Sequence, residues 1–370
     1  MTSPAGLRLL MSADTVGGVW GYALDLAAGM AQRGVTIVLA VLGPPPDPAQ
    51  RVEAEGIPGL RLVELDCPLE WLAGSAAEVE ASGAALAALA REVSADLVHL
   101  NSPAPAANAS FGQPLVIACH SCLATWWQTM RAGPMPDDFV WRTALVARAY
   151  RSADLLVAPS GWFAAATRAA YDLSVAPRVV HNARRRLPLR EAASLKAIAC
   201  TAGRLWDEGK DAATLDAAAA LLPFPLIAAG PTEGPNGGNV ELRHLRRLGR
   251  LPATAMAALL ETRPIFVSAA LYEPFGLTVL EAAQAGCPLV LSDTAGFREL
   301  WDGAATFVAP RNSGGFAAAI ERLSRDQGGR TKLGIAAQER ATRYSLDRQV
   351  DGMLAIYDKV LGRSGRDVAA

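Results

Sequence analysis

Charge is scarce in this chain. Charged residues are 19% of the 370 and the formal net charge is −1, which argues against the basic surface of a nucleic-acid binder. Cysteine is sparser still, with five, at Cys67, Cys119, Cys122, Cys200 and Cys287. An odd, scattered set in a chain this long argues against a disulfide framework and for reduced thiols in a cytoplasmic setting. Lysine stands only at Lys196, Lys210, Lys332 and Lys359, the remaining basic residues being arginine. Long apolar runs are also missing. None reaches the ~18 residues of a membrane span, and 7–11 is too short for the apolar core of a secretory signal. What is plentiful is apolar residues, at 51%. The length predicts two domains, each with material for its own core.

Short apolar runs alternate with Ala-rich helical stretches. Residues 7–11 read as a strand, 17–33 as a helix with Trp20, Ala23, Leu24, Ala27, Ala28 and Met30 near one face, and 35–42 as a second strand. Gly34 suits the left-handed residue that ends a helix. Further strands are expected at 97–100, 115–118, 155–158 and 178–181. All but the last are nearly all-apolar, as in parallel strands covered on both faces. The rhythm breaks at Arg184–Arg186 and Pro188, which places a linker at 183–195. It restarts with strands at 197–202, 225–229, 240–245, 248–251, 265–268 and 288–292, and helices at 212–222, 253–261 and 277–285. The tail, 328–362, reads as helical. The fold class is therefore α/β with two doubly wound halves, and ligands of such sheets bind outside the carboxyl ends of the strands.

Four constellations could carry chemistry. Gly17-Gly18 lies between a strand and a helix, where a backbone can approach a ligand and a helix N-terminus offers free amides. Arg204 and Lys210 follow the strand ending at Ala202; a guanidinium fork and a compact ammonium could converge on an anion, or the turn could be merely solvated with Asp207 and Glu208 pairing locally. In Glu273-Pro-Phe-Gly-Leu-Thr-Val-Leu-Glu281, two carboxylates stand eight apart around a glycine-opened helix. They could work as acid and base or hold hydroxyl groups. A capping role explains Glu281 but not Glu273. His120, within Cys119-His120-Ser121-Cys122, is better read as a polar strand end than as part of a zinc or redox site, because no second Cys pair follows. Trp126, Trp127 and Trp141 are expected in a loop after that strand, as core or as an acceptor-side aromatic surface.

Taken in order, these residues resemble glycosyltransferase family 4 of the GT-B superfamily, over nearly the whole chain. The resemblance is carried by Gly17-Gly18-Val19, His120-Ser121, Ser152-Ala-Asp154 with Ala158-Pro-Ser160, Val180-His-Asn182, Gly203-Arg204 with Lys210, Glu273-Pro-Phe-Gly with Glu281, and Phe297-Arg-Glu299-Leu. It departs at Asn182-Ala183, where the family often has Asn-Gly, and at Gly209-Lys210, where Glu-Lys is common.

The resemblance implies two Rossmann-like domains facing across a cleft, 1–182 on the acceptor side and 196–344 on the nucleotide-sugar side. It also implies a C-terminal helix within 345–370 that returns to the first domain. It implies a retaining transferase that needs no catalytic metal and no cofactor. The donor would be a nucleotide-diphosphate sugar, and the acceptor a saccharide, a lipid-linked sugar or a small molecule. Arg204 and Lys210 would grip the diphosphate, and Glu273 the sugar hydroxyls. Backbone amides of Phe275, Gly276, Leu277 and Thr278 would hold phosphate or sugar oxygens, and Glu281 the ribose. His120 would contact the donor sugar; Gly17 and Gly18 would shape the acceptor and phosphate side. Weak peripheral contact with the inner face of a membrane is compatible with the arginines at 243–250 and 184–186. The alternatives are another GT-B enzyme, a phosphorylase or a sugar-nucleotide epimerase, and a non-catalytic sugar-nucleotide binder. Scarce lysine disfavours the phosphorylase.

Overall fold

The computed structural model describes residues 6–186 and 198–362. Of the linker expected at 183–195, residues 187–195 lie outside the described residues. The chain divides into two compact units, Met1–Ala183 with Leu346–Ala370, and Arg184–Ser345.

The first unit runs β1 (Arg8–Ala13), α1 (Gly18–Ala31), β2 (Thr36–Val41), α2 (Pro48–Glu55), β3 (Leu60–Glu64), α3 (Ala76–Glu92), β4 (Leu97–Leu100), β5 (Leu115–Ala118), α4 (Leu123–Met130), α5 (Asp137–Ser152), β6 (Leu155–Ala158), α6 (Gly161–Tyr171) and β7 (Arg178–Val179). Its strands pair in parallel in the order β3-β2-β1-β4-β5-β6-β7. The order reverses between β1 and β4, which makes their carboxyl ends the natural ligand edge. The central strands β4 and β5 are buried at every residue, so β5 reads as a continuous apolar run and β4 as one broken only by His99. β3 lies at the sheet edge and is half-exposed, and its mixed pattern gave no strand signal.

The second unit runs β8 (Ala199–Ala202), α7 (Ala212–Ala219), β9 (Leu226–Ala229), β10 (Arg246–Gly249), α8 (Ala253–Glu261), β11 (Ile265–Ser268), α9 (Leu277–Gln284), β12 (Leu289–Ser292), α10 (Ala295–Trp301), β13 (Thr306–Val308), α11 (Ser313–Arg325) and α12 (Gln327–Ala341). The parallel order β10-β9-β8-β11-β12-β13 reverses between β8 and β11. Both sheets are of the doubly wound kind.

The last helix among the described residues, α13 (Leu346–Val360), belongs to the first unit and packs on α1. Gly29 permits the approach: a Cβ there would stand 2.5 Å from Val350 Cγ2. Val350, Met353 and Tyr357 are buried among Leu24, Leu26 and Ala27 of α1.

Two expectations fail. The segment 240–245 is not a strand. Asp216 accepts hydrogen bonds from the amides of His244 and Leu245, both at 2.9 Å, which holds the segment out of the ladder. Leu242 and Leu245 are buried as loop anchors, and that alternation imitated a strand. The edge strand is β10, exposed at each residue and carrying Arg246 and Arg247, charges that discourage a further strand from adding. The tryptophans are not in a loop: Trp126 and Trp127 lie on α4 and Trp141 on α5. Trp127 packs edge-on to Phe139 at 5.5 Å, and Arg131 lies over Trp126 at 4.9 Å.

Among the described residues, no helix is long and apolar enough to cross a membrane.

Candidate active site

In the second unit, the first loop leaves the carboxyl end of β8. Gly203 stands there at φ +150° and donates its N–H to the Ala229 carbonyl at 3.0 Å. Gly230, just past β9, has φ +139°, and a Cβ on it would lie 1.8 Å from the Gly203 carbonyl oxygen. Only glycine fits at 230, so the turn that launches Arg204 is held by backbone against backbone. Arg204 donates from Nη2 to Asp207 Oδ2 at 2.8 Å and lies over the Trp206 ring at 5.6 Å. Asp207 Oδ1 accepts from the Gly209 amide at 2.9 Å, which folds Glu208–Lys210 into a single 3-10 turn.

That turn is fastened to the loop after β11. The Gly209 carbonyl accepts from the amides of Leu271 and Tyr272, at 2.9 and 3.2 Å. Lys210 Nζ donates to Glu273 Oε2 at 2.5 Å, and the two side chains are only 22% and 15% exposed. Glu273 and Lys210, read separately in the sequence, are thus one ion pair. Gly276 then caps α9 at φ +88°, with no side-chain hydrogen bond to the cap. A Cβ on Gly276 would meet Glu273 Cγ at 3.3 Å, so glycine serves both the left-handed turn and the close approach. The first amides of α9, at Leu277 and Thr278, have no carbonyl in a preceding turn and carry the positive end of the helix dipole. The Phe275 side chain is buried, edge-on to Tyr344 at 5.4 Å.

Glu281 lies one turn into α9. Its Oε1 accepts from Arg184 Nε at 2.6 Å, and the Arg184 carbonyl accepts from Gln284 Nε2 at 3.0 Å. Sequence reasoning had grouped Arg184 with a basic stretch and missed this pairing. The partners are 97 positions apart, and no local pattern announces them.

The first unit has its own ligand edge. Asp14 Oδ1 accepts from the amides of Val16 and Gly17, at 2.9 and 3.3 Å, and shapes the turn after β1. Gly17 is the cap of α1, without a side-chain hydrogen bond, and the exposed Gly18 is its first residue. His120 follows β5. Its Nε2 is 2.8 Å from Asn101 Oδ1, and its ring meets Tyr22 edge-on at 4.4 Å. Burial pushes the imidazole down to about 4. Beneath it, His99 is fully buried, with Nδ1 2.6 Å from the Tyr357 hydroxyl of α13. Burial, helped by the charge of His120, pushes His99 down to about 3. His99 is a polar residue inside the otherwise apolar β4 and Asn101 directly follows it, the one signal by which the sequence could have marked them. Cys119 and Cys122 are buried thiols whose pKa burial raises. No group of three or more metal-ligating side chains occurs among the described residues.

Residues 16–184 match the model of Glycosyltransferase Family 4, and residues 239–340 that of Glycosyl transferases group 1. The first match contains Gly17, Gly18 and His120; the second contains Glu273, Gly276 and Glu281, while Arg204 and Lys210 lie between the two. A glycogen synthase of Mycobacterium tuberculosis is 41% identical over 103 residues, 27% of this chain and 25% of that protein, so the match spans about a quarter of this curated relative. Sucrose-phosphate synthase from Thermosynechococcus elongatus has the same fold, with a TM-score of 0.80 at 19% identity, covering 96% of this chain and 100% of that one. HepE of Anabaena, solved in complex with UDP and glucose, gives a TM-score of 0.71 at 19% identity, covering 94% of this chain and 99% of the other.

Proposed function

Because the chain belongs to the glycosyltransferases that join a family 4 domain to a group 1 domain, we propose that it moves a sugar from a nucleotide-diphosphate sugar to an acceptor hydroxyl, with retention at the anomeric carbon. The observation that carries this reading is the second unit's double loop. Arg204 and Lys210 leave β8 in one turn, and that turn is fastened by Gly209 and Lys210 to the Glu273 loop, which ends at the uncapped N-terminus of α9. Two cations and a helix N-terminus suit a diphosphate, whose negative charge grows as the glycosidic bond breaks. The complex of HepE with UDP and glucose supports the same class of donor.

In this proposal Arg204 and Lys210 meet the departing diphosphate. Backbone amides of Phe275–Thr278 take phosphate or sugar oxygens. Glu273 receives sugar hydroxyls, and Glu281 the ribose through Oε2, its other oxygen being held by Arg184. His120 contacts the transferred sugar, and Gly17 and Gly18 shape the ligand edge of the first unit. A covalent glycosyl-enzyme would need a carboxylate free to attack. Glu273 is instead bound to an ammonium, which supports direct transfer in which the departing phosphate takes the acceptor proton.

The test is a thermal-shift panel of UDP-, GDP- and ADP-glucose, because a ligand of the native state alone must raise apparent stability. A donor that raises the midpoint in the wild type, is turned over, and is not turned over by Glu273→Ala supports the assignment. Unchanged turnover in that variant sinks it.

A further inference from the structure

The hydrogen bonds below His120 have directions that can be worked out one after another. The Ser12 backbone carbonyl can only accept. Asn101 stands 2.6 Å from it through Nδ2, so the amide orientation of Asn101 is settled: the NH2 group faces Ser12, and Oδ1 faces away. Asn101 is anchored a second time by its own N–H, which donates to Ser12 Oγ at 2.9 Å. Asn101 is 6% exposed and Ser12 fully buried, so water does not compete for these bonds. Oδ1 has no proton to give. His120 Nε2, 2.8 Å away, must therefore carry one. A neutral imidazole has a single N–H, and burial keeps this ring neutral down to about 4. The second nitrogen, Nδ1, is left with its lone pair.

We propose that Asn101 is a positioning residue that locks His120 in its Nε2–H tautomer, so that the imidazole meets substrate as a hydrogen-bond acceptor through Nδ1. The Tyr22 ring, edge-on at 4.4 Å, holds the plane of the imidazole. The consequence is selectivity. A lone pair at Nδ1 accepts from a hydroxyl and repels a phosphate, carboxylate or carbonyl oxygen, so His120 reads a sugar O–H and plays no part in gripping the diphosphate. This rests on the reading above that His120 touches the transferred sugar.

The experiment is nitrogen-15 NMR on the full chain with labelled histidine. The chain has four histidines, and the His120 signals are assigned by their loss in His120→Gln. The wild-type spectrum is expected to show a protonated Nε2 and an unprotonated Nδ1 near neutral pH. Asn101→Leu should turn this into a mixture of tautomers and lower kcat/KM by about tenfold, roughly one hydrogen bond's worth, with whichever of UDP-, GDP- or ADP-glucose is turned over. A wild-type proton on Nδ1 overturns the proposal without recourse to any variant. So does an Asn101→Leu spectrum identical to the wild type. If the tautomer behaves as stated but His120→Gln turns over donor like the wild type, the donor-sugar reading of His120 fails and the control exerted by Asn101 stands.

Discussion

Lys210 and Glu273 have two separable duties, and a double-mutant cycle pulls them apart. As a structural element, the pair joins two loops of the second unit at 2.5 Å, with side chains 22% and 15% exposed. Removing one member of a fully buried pair costs ~3–5 kcal/mol, because the other charge is stranded. With about a fifth of each side chain in water, Lys210→Met is expected to cost about 2 kcal/mol, the backbone bonds donated by Leu271 and Tyr272 to the Gly209 carbonyl remaining. Glu273→Gln keeps an acceptor for the ammonium and should cost about 1 kcal/mol. The double variant strands no charge and should return to within about 1 kcal/mol of the wild type. For a unit of this size each kcal/mol moves the midpoint by ~2–4 °C, so Lys210→Met should melt ~4–8 °C low. In the proposed reaction Lys210 meets charge that develops on the departing diphosphate. Losing such a donor costs ~100–1,000-fold in kcat. The double variant should therefore regain stability and remain inactive. Calorimetry and donor turnover on the four proteins decide it. A double variant no more stable than Lys210→Met would mean that the two charges are not coupled. Lys210→Met with kcat within about threefold of the wild type would remove lysine from the leaving-group chemistry.

Arg184→Met should leave Glu281 unoriented and raise donor KM about tenfold with kcat nearly unchanged, the signature of lost uniform binding; an unmoved KM in steady-state kinetics would contradict it. Gly230→Ala drives a Cβ to 1.8 Å from the Gly203 oxygen at φ +139°. It should cost ~3 kcal/mol or more in urea unfolding and displace the Arg204 turn, so a wild-type midpoint would refute the packing argument. For pH, burial depresses the folded-state values of His99 and His120, to about 3 and about 4. The unfolded chain takes up protons that the native state refuses. Stability is therefore full above about 6.5 and falls on acidification towards those values, by roughly 1.4 kcal/mol per unit per histidine. His99→Phe should flatten that slope between about pH 6 and pH 4.5, and an unchanged slope in denaturant titrations would overturn it.

Much of the architecture was readable from local pattern. β4, β5 and β6 begin and end where their apolar runs do, because a parallel strand covered on both faces has no polar period to confuse the reading. The α9 start was readable because Gly276 stands directly before the helical stretch that follows it. β3 was not readable, because an edge strand mixes polar and apolar positions. Residues 240–245 misled, because a buried loop can alternate as a strand does.

The amino-acid sequence by itself determined the two α/β halves, the residues that could meet a diphosphate, and the helix that could present amides to it. These follow from periodicity, glycine and charge, which are local. Tertiary structure alone decided who is paired with whom: Lys210 with Glu273 across 63 positions, Arg184 with Glu281 across 97, and Asn101 with Ser12 across 89. Those pairings turn Lys210 and Glu273 into one unit, tie one oxygen of Glu281 to Arg184, and assign a proton to His120. A hydrogen bond's direction depends on which donor and acceptor the fold brings face to face, and no window along the chain contains both.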